Sequence, residues 1–101
     1  MSFRSRKVLD LAYQFPCALN FPCCEGGDAG EPAHSNQPMH GKGGALKAHD
    51  CFHVPACRAC HRELDQGRTM DRETKHWEWN RAFGVYLPRL FDGFLTIKGI
   101  K

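Results

Sequence analysis

The spacing of apolar positions predicts a short chain of mixed helices and strands. The pattern predicts helices at residues 4–15, 58–65 and about 70–84. It predicts strands at residues 33–35, 51–56 and 94–97. Pro16 should end the first helix and Gly67 the second, while Thr69 or Asp71 should cap the third. An aromatic stripe on the third helix, at Trp79, Phe83 and Tyr86 or Leu87, indicates core packing.

The composition of the segments between these elements predicts one tight knuckle and two loops. Residues 17–24 combine two prolines with three cysteines, which is typical of a tight hairpin or knuckle. Residues 25–32 are acidic and glycine-rich. Residues 36–47 contain Gly41, Gly43 and Gly44 together with Lys42 and Lys47. Together the elements predict one α+β domain over residues 1–101, with its core at about 17–67 and a C-terminal helix and short strand at 70–98.

Composition indicates that the core needs a covalent or metal crosslink. The chain has 101 residues, of which 42% are hydrophobic, and it contains six cysteines and six histidines. A core this small is generally stabilised by disulfides or a metal. The first fourteen residues are charged and do not resemble a signal peptide, and no apolar run is long enough for a membrane span, so we expect a cytoplasmic protein without a membrane partner. Clustered cysteines in that compartment favour metal binding.

The pair Cys57 and Cys60 is the clearest candidate for metal chemistry. Two cysteines separated by two residues present both thiolates to one ion, and tetrahedral zinc needs two further ligands. Cys17 with either Cys23 or Cys24 would complete a structural zinc site.

Three further residues are candidates for catalysis. His61 and Asp65 are four residues apart on the predicted helix and therefore share a face, where they could hold a divalent ion. His34 lies at a predicted strand end, and a neutral histidine can accept a proton from water. Hydrolysis of a phosphodiester requires such a base and a metal, here Mg, Mn or Zn. Lys42 and Lys47 lie beside glycines and are expected to contact phosphates of DNA. The net charge of +3 is compatible with nucleic-acid binding.

The order of these motifs resembles the HNH, or ββα-metal (His-Me finger), nucleases. The runs Ala33–Gln37, Gly41–Gly43, Lys47–Asp50 and Cys57–Gly67 resemble in particular the small prophage-encoded nucleases of the YbcO-like group. The resemblance implies a zinc-stapled ββα-metal fold with flanking helices. It also implies a metal-dependent endonuclease that cuts double- or single-stranded DNA in phage or prophage recombination or processing. A recombination protein is the partner that this role implies. By position it favours Cys17 and Cys24 over Cys23 as zinc ligands.

Two positions depart from the nuclease pattern. Ala33 stands where many HNH enzymes have a metal-binding His or Asp before the base, and Phe52 stands where they have Asn. His53, Asp50 or His40 would be the substitutes in the ligand set.

Two other functions fit parts of the sequence. A zinc knuckle with a basic loop can bind DNA or RNA without cutting it, so a non-catalytic nucleic-acid-binding module is the main alternative. Cys57-Arg58-Ala59-Cys60-His61 also matches the attachment signature of c-type haem, but haem attachment requires export and would leave Cys17, Cys23 and Cys24 without a role.

Overall fold

The computed structural model describes residues 2–27 and 30–100 as a small α+β fold, which confirms the predicted fold class. Two antiparallel strands form its sheet. The α-helices are α1 (Arg6–Asp10), α2 (Arg58–Gln66) and α3 (Arg72–Ile97), and the strands are β1 (Glu31–His34) and β2 (His53–Ala56). Short 3-10 helices cover Leu11–Gln14, directly after α1, and Pro38–His40.

The pairing of the two strands determines where their side chains meet α2. The register aligns Glu31 with Ala56 and His34 with His53. The two chain segments lie close together at the Glu31 end of the sheet, since a Cβ at Gly30 would be 2.7 Å from the backbone nitrogen of Ala56. Since α2 begins two residues after β2 ends, the Glu31 end of β1 lies beside the first turn of α2.

Local capping explains where α2 and α3 begin. The Sγ atom of Cys57 accepts a hydrogen bond from the backbone N–H of Cys60 at the start of α2. Asp71 is the residue that caps α3, because its Oδ1 accepts from the backbone N–H of Thr74 at 2.8 Å. Asp71 is therefore the correct choice of the two predicted caps.

The prediction of a final strand at residues 94–97 is wrong, because α3 continues without interruption to Ile97. Tyr86 and Leu90 are buried and extend the helical spacing of the core residues beyond the predicted end at residue 84. Pro88 lies inside the helix, where its ring crowds the carbonyl four residues earlier. That position is Gly84, and both residues are on the exposed side of α3.

The core lies between the sheet and the middle of α3, from Trp79 to Leu90. Trp79 is only 1% exposed, and its indole Nε1 donates a hydrogen bond to the Ala33 carbonyl at 3.1 Å. Tyr86 is buried whereas Leu87 is 44% exposed, so the aromatic stripe of α3 packs in the core through Tyr86. Among the helices of the described residues, none combines the length and apolarity needed to cross a membrane.

Candidate metal centre and active-site cleft

Four cysteines from two separate parts of the chain meet at the start of α2. The Sγ atoms of Cys17, Cys24, Cys57 and Cys60 all lie within 4.8 Å of one another. The sulphur atoms of Cys24 and Cys57 are 3.8 Å apart. A tetrahedral zinc site with Zn–S bonds of about 2.3 Å separates its sulphur atoms by about 3.8 Å. The cluster could therefore hold a metal ion such as zinc.

Backbone N–H groups stabilise the thiolate form of one member of this cluster, Cys57, whereas burial raises the pKa of the Cys60 thiol. The N–H groups of Glu25 and Cys60 point at the Sγ of Cys57 at 3.5 and 3.4 Å, and that of Gly26 points at the Sγ of Cys24 at 3.4 Å. Burial alone would raise the pKa of Cys57, but the N–H groups outweigh burial and lower this pKa to about 7. Thiolates rather than thiols are the metal ligands, so Cys57 is the cysteine of this cluster whose surroundings favour binding of a cation.

Cys23 lies outside the cluster. Its side chain is exposed, and its thiol donates to the carbonyl of Ala59 at 3.6 Å. The structure therefore brings together the four cysteines that the family resemblance favours and separates them from the competing neighbour.

A polar cleft of about 580 Å³ adjoins α2 and contains all the other predicted site residues. Its walls include His34, His61, Asp65, Lys42 and Lys47. The two lysines are carried by the loop between β1 and β2. This loop turns at Gly41, where φ is +98° and a Cβ would lie 2.7 Å from the His49 ring, so only glycine fits.

His34 is held in the cleft by the buried carboxylate of Asp50. His34 Nε2 lies 2.9 Å from Asp50 Oδ1, while Asp50 Oδ2 accepts from the backbone N–H of Ser5 at 2.7 Å. Burial works to raise the pKa of Asp50, but the hydrogen bonds from His34 and Ser5 and the charge of Arg4 lower it. Because an ionised carboxylate only accepts, His34 carries a proton on Nε2. None of the described residues hydrogen-bonds to Nδ1, which is left as the ring's free position.

His61 lies between two carboxylates, one at each ring nitrogen. Nδ1 is 2.8 Å from Glu31 Oε1, and Nε2 is 3.3 Å from Asp65 Oδ2. Asn36 Nδ2 donates to the other oxygen of Asp65 at 2.9 Å. The hydrogen bond to Asp65 raises the pKa of His61 against the effect of burial, and Glu31 raises it further. Nε2 and Asp65 present a nitrogen and an oxygen to the same space, which fits the donor set of a divalent cation.

The substitutes considered for the metal ligand set lie elsewhere. His53 is fully buried, with Nδ1 donating to the Asp50 carbonyl at 2.7 Å and Nε2 accepting from the Tyr86 hydroxyl at 2.9 Å. Burial lowers the pKa of His53 to about 4. His40 stacks on Phe52 with ring centroids 4.2 Å apart and is not part of the cleft wall. The carboxylate oxygens of Asp50 contact Arg4, Ser5 and His34 rather than His61.

The comparison with protein families covers nearly the whole chain. The model of a family described as a protein of unknown function (DUF968) matches residues 3–94. The chain belongs to the DUF968 family. Searches of curated proteins and of solved structures found no match. The DUF968 description assigns no activity, so the function has to be inferred from the site itself.

Sequence reasoning missed Glu31 and Asn36 in this DUF968 protein, and it named Asp50 only as a substitute metal ligand and not as the partner of His34. Glu31 falls in a segment that looks like an acidic loop, yet it is the first residue of β1. Asp50 stands 16 positions from the histidine that it contacts, and Asn36 stands 29 positions from Asp65. The strand register could have indicated Glu31, because its partner Ala56 nearly adjoins α2. No local pattern marks Asp50 or Asn36.

Proposed function

We propose that this protein is a metal-dependent endonuclease that hydrolyses DNA phosphodiester bonds at an HNH-type ββα-metal site. One observation carries the proposal: His34, oriented by a buried carboxylate, shares a cleft with the His61–Asp65 pair and with Lys42 and Lys47. The order β1, β2, α2 agrees with the strand–strand–helix arrangement of the nucleases that the sequence resembles.

Each residue of the cleft has a role that its contacts support. His34 accepts a proton from the attacking water at Nδ1, because Nε2 is occupied by Asp50. His61 Nε2 and Asp65 would hold the divalent ion, for which Mg, Mn and Zn are candidates. When bound, this ion would offset negative charge on the phosphate and on the leaving oxygen. Lys42 and Lys47 bind neighbouring phosphates, since their ammonium groups lie on the cleft wall.

A structural zinc at Cys17, Cys24, Cys57 and Cys60 supports the same site. Two of these cysteines belong to the first turn of α2 or cap it, so the ion would anchor the end of the helix that carries His61. A reducing compartment such as the cytoplasm would keep these cysteines as thiols available to a metal ion. A role in phage or prophage recombination or DNA processing, with a recombination protein as partner, rests on the family resemblance alone.

A cleavage assay with matched histidine variants tests the proposal. Zinc-loaded protein is incubated with supercoiled plasmid and with single-stranded DNA, with magnesium or manganese added. We expect wild type to cut and His34→Ala to lose about 10²–10⁴-fold in rate. The control His76→Ala, on α3 and outside the cleft, should cut like wild type.

The same preparations are checked for zinc content and melting temperature, which the His34 variant should retain. Cleavage by His34→Ala at the wild-type rate would refute the assigned base. Binding of DNA by wild type without any cleavage would instead favour the non-catalytic binding module.

A further inference from the structure

A second, smaller depression joins the cleft along α2. It has a volume of about 190 Å³, and it shares His61 and Asp65 with the larger cleft. Of these two depressions, Arg58 and Arg62 line the smaller one, whereas Lys42 and Lys47 line the larger one. Two pairs of cations therefore flank the shared histidine and aspartate, one pair in each depression.

The two arginines are free to bind an external anion. Both are exposed, and no hydrogen bond or ion pair to another described residue engages either guanidinium. The two carboxylates that line the smaller depression with them contact other side chains, since Glu31 contacts His61 and Asp65 contacts His61 and Asn36. The carboxylates of Glu31 and Asp65 balance the two arginines within the smaller depression, but across both depressions the two arginines and two lysines outnumber these two carboxylates, which leaves a net positive surface over the combined site.

The spacing of the arginines suits a repeating anion. Arg58 and Arg62 are four residues apart on α2, so they lie on one face about 6 Å apart along the axis. A guanidinium can donate two parallel N–H bonds to one phosphate, which favours arginine where a phosphate has to be held in register. Because α2 is a helix anchored at its first turn by the cysteine cluster, the two groups are displayed on a defined support.

We propose that a nucleic-acid strand crosses α2, with its backbone phosphates bound by Arg58 and Arg62 on one side of His61 and by Lys42 and Lys47 on the other. The assignment of the central phosphate as the one that is cut rests on the proposed nuclease function. The binding of the strand does not, because it needs only the cations. These cations contact the sugar-phosphate backbone and not the bases, so their contribution to DNA affinity is independent of base sequence.

The salt dependence of DNA binding tests this path directly. Fluorescence anisotropy is measured with zinc-loaded full-chain protein, a labelled duplex and the matching single strand, without added magnesium or manganese. The salt range is about 50–200 mM. The double variant Arg58→Ala/Arg62→Ala should make the negative slope of log K against log salt shallower by about 1.8 on duplex and about 1.4 on single strand, since each lost phosphate contact removes about 0.9 or 0.7 from its magnitude.

The control is a variant that removes equal charge from another surface. Arg72→Ala/Lys98→Ala removes two cations at the ends of α3, outside both depressions, and should keep the wild-type slope. Equal slopes for the arginine variant and this control would overturn the proposal, and so would a wild type that fails to bind DNA.

The experiment also separates this inference from the nuclease proposal. Each protein is assayed for cleavage in parallel after manganese is added. A reduced slope in the arginine variant, with no cleavage by wild type, would support the strand path and refute the nuclease. Cleavage by wild type with an unchanged slope in the arginine variant would overturn the strand path and leave the nuclease supported.

Discussion

Replacing Asp50 by Asn would test how the His34 ring is held. In the structure, Asp50 Oδ2 accepts from the backbone N–H of Ser5 at 2.7 Å, and Oδ1 accepts from His34 Nε2 at 2.9 Å and from Arg4 Nη1 at 3.4 Å. Asparagine has only one acceptor oxygen, which must face the Ser5 N–H because that group can only donate. Its amide N–H₂ then faces His34, whose Nε2 has to become an acceptor.

The change should move the histidine proton from Nε2 to Nδ1 and so remove the proposed base. Loss of a general base typically costs about 10²–10⁴-fold in rate. Asp50 is only 4% exposed, and the substitution removes its charge-assisted hydrogen bond with Arg4, so the free energy of unfolding should fall by about 1–3 kcal/mol. For a domain of this size each kcal/mol corresponds to about 4–8 °C in melting temperature.

Two measurements follow these effects separately. Nitrogen-15 NMR of the imidazole ring reports which nitrogen of His34 carries the proton, and plasmid nicking with manganese reports the rate. Asp10→Asn is the matched control, because its carboxylate is exposed and 3.9 Å from Arg6 in a surface ion pair. A His34 proton that stays on Nε2 in Asp50→Asn would refute the hydrogen-bond argument. Wild-type cleavage with the proton on Nδ1 would refute the assignment of Nδ1 as the base.

Three further predictions concern the metal centre and the core. Cys24→Ser should lose most of the bound zinc, measured by elemental analysis, whereas Cys23→Ser should retain it because the Cys23 thiol faces a carbonyl outside the cluster; the opposite ranking would reassign the ligand. Glu31→Ala should weaken manganese binding to zinc-loaded protein about 10–100-fold, measured by electron paramagnetic resonance, because it frees the ring that Glu31 orients. Glu31→Gln, which can still accept from Nδ1, should restore most of the affinity, and equal losses in both variants would contradict the orienting role. Burial lowers the pKa of His53 to about 4, so the unfolded chain binds the extra proton first and the protein loses stability as the pH falls below about 6.5. Urea unfolding should therefore show that the free energy of unfolding falls by roughly 2 kcal/mol between pH 7 and pH 5, and by much less in His53→Gln. Equal losses in both proteins would refute the role of His53.

The features that could be predicted from sequence depend on contacts within a few residues. Cys57 and Cys60 are three positions apart at a helix start, and His61 and Asp65 are one helical turn apart, so backbone geometry alone places each pair on one side of α2. The prediction of α2 was accurate to one residue for the same reason. The end of α3 could not be predicted locally, because Gly84 and Pro88 signal an end that burial of Tyr86 and Leu90 overrides.

The tertiary structure alone decided which side chains contact one another in the candidate site. The partners of the two histidines, Asp50 and Glu31, are 16 and 30 positions away from them in sequence. Their contacts depend on the register of β1 against β2 and on the path of the intervening loop, and neither is encoded in a short pattern. For the same reason His53, adjacent in sequence to the position where nucleases carry Asn, is buried against Tyr86 rather than exposed in the cleft. Sequence thus determined the types of ligand and base available to this protein, and long-range packing determined which of them can act together.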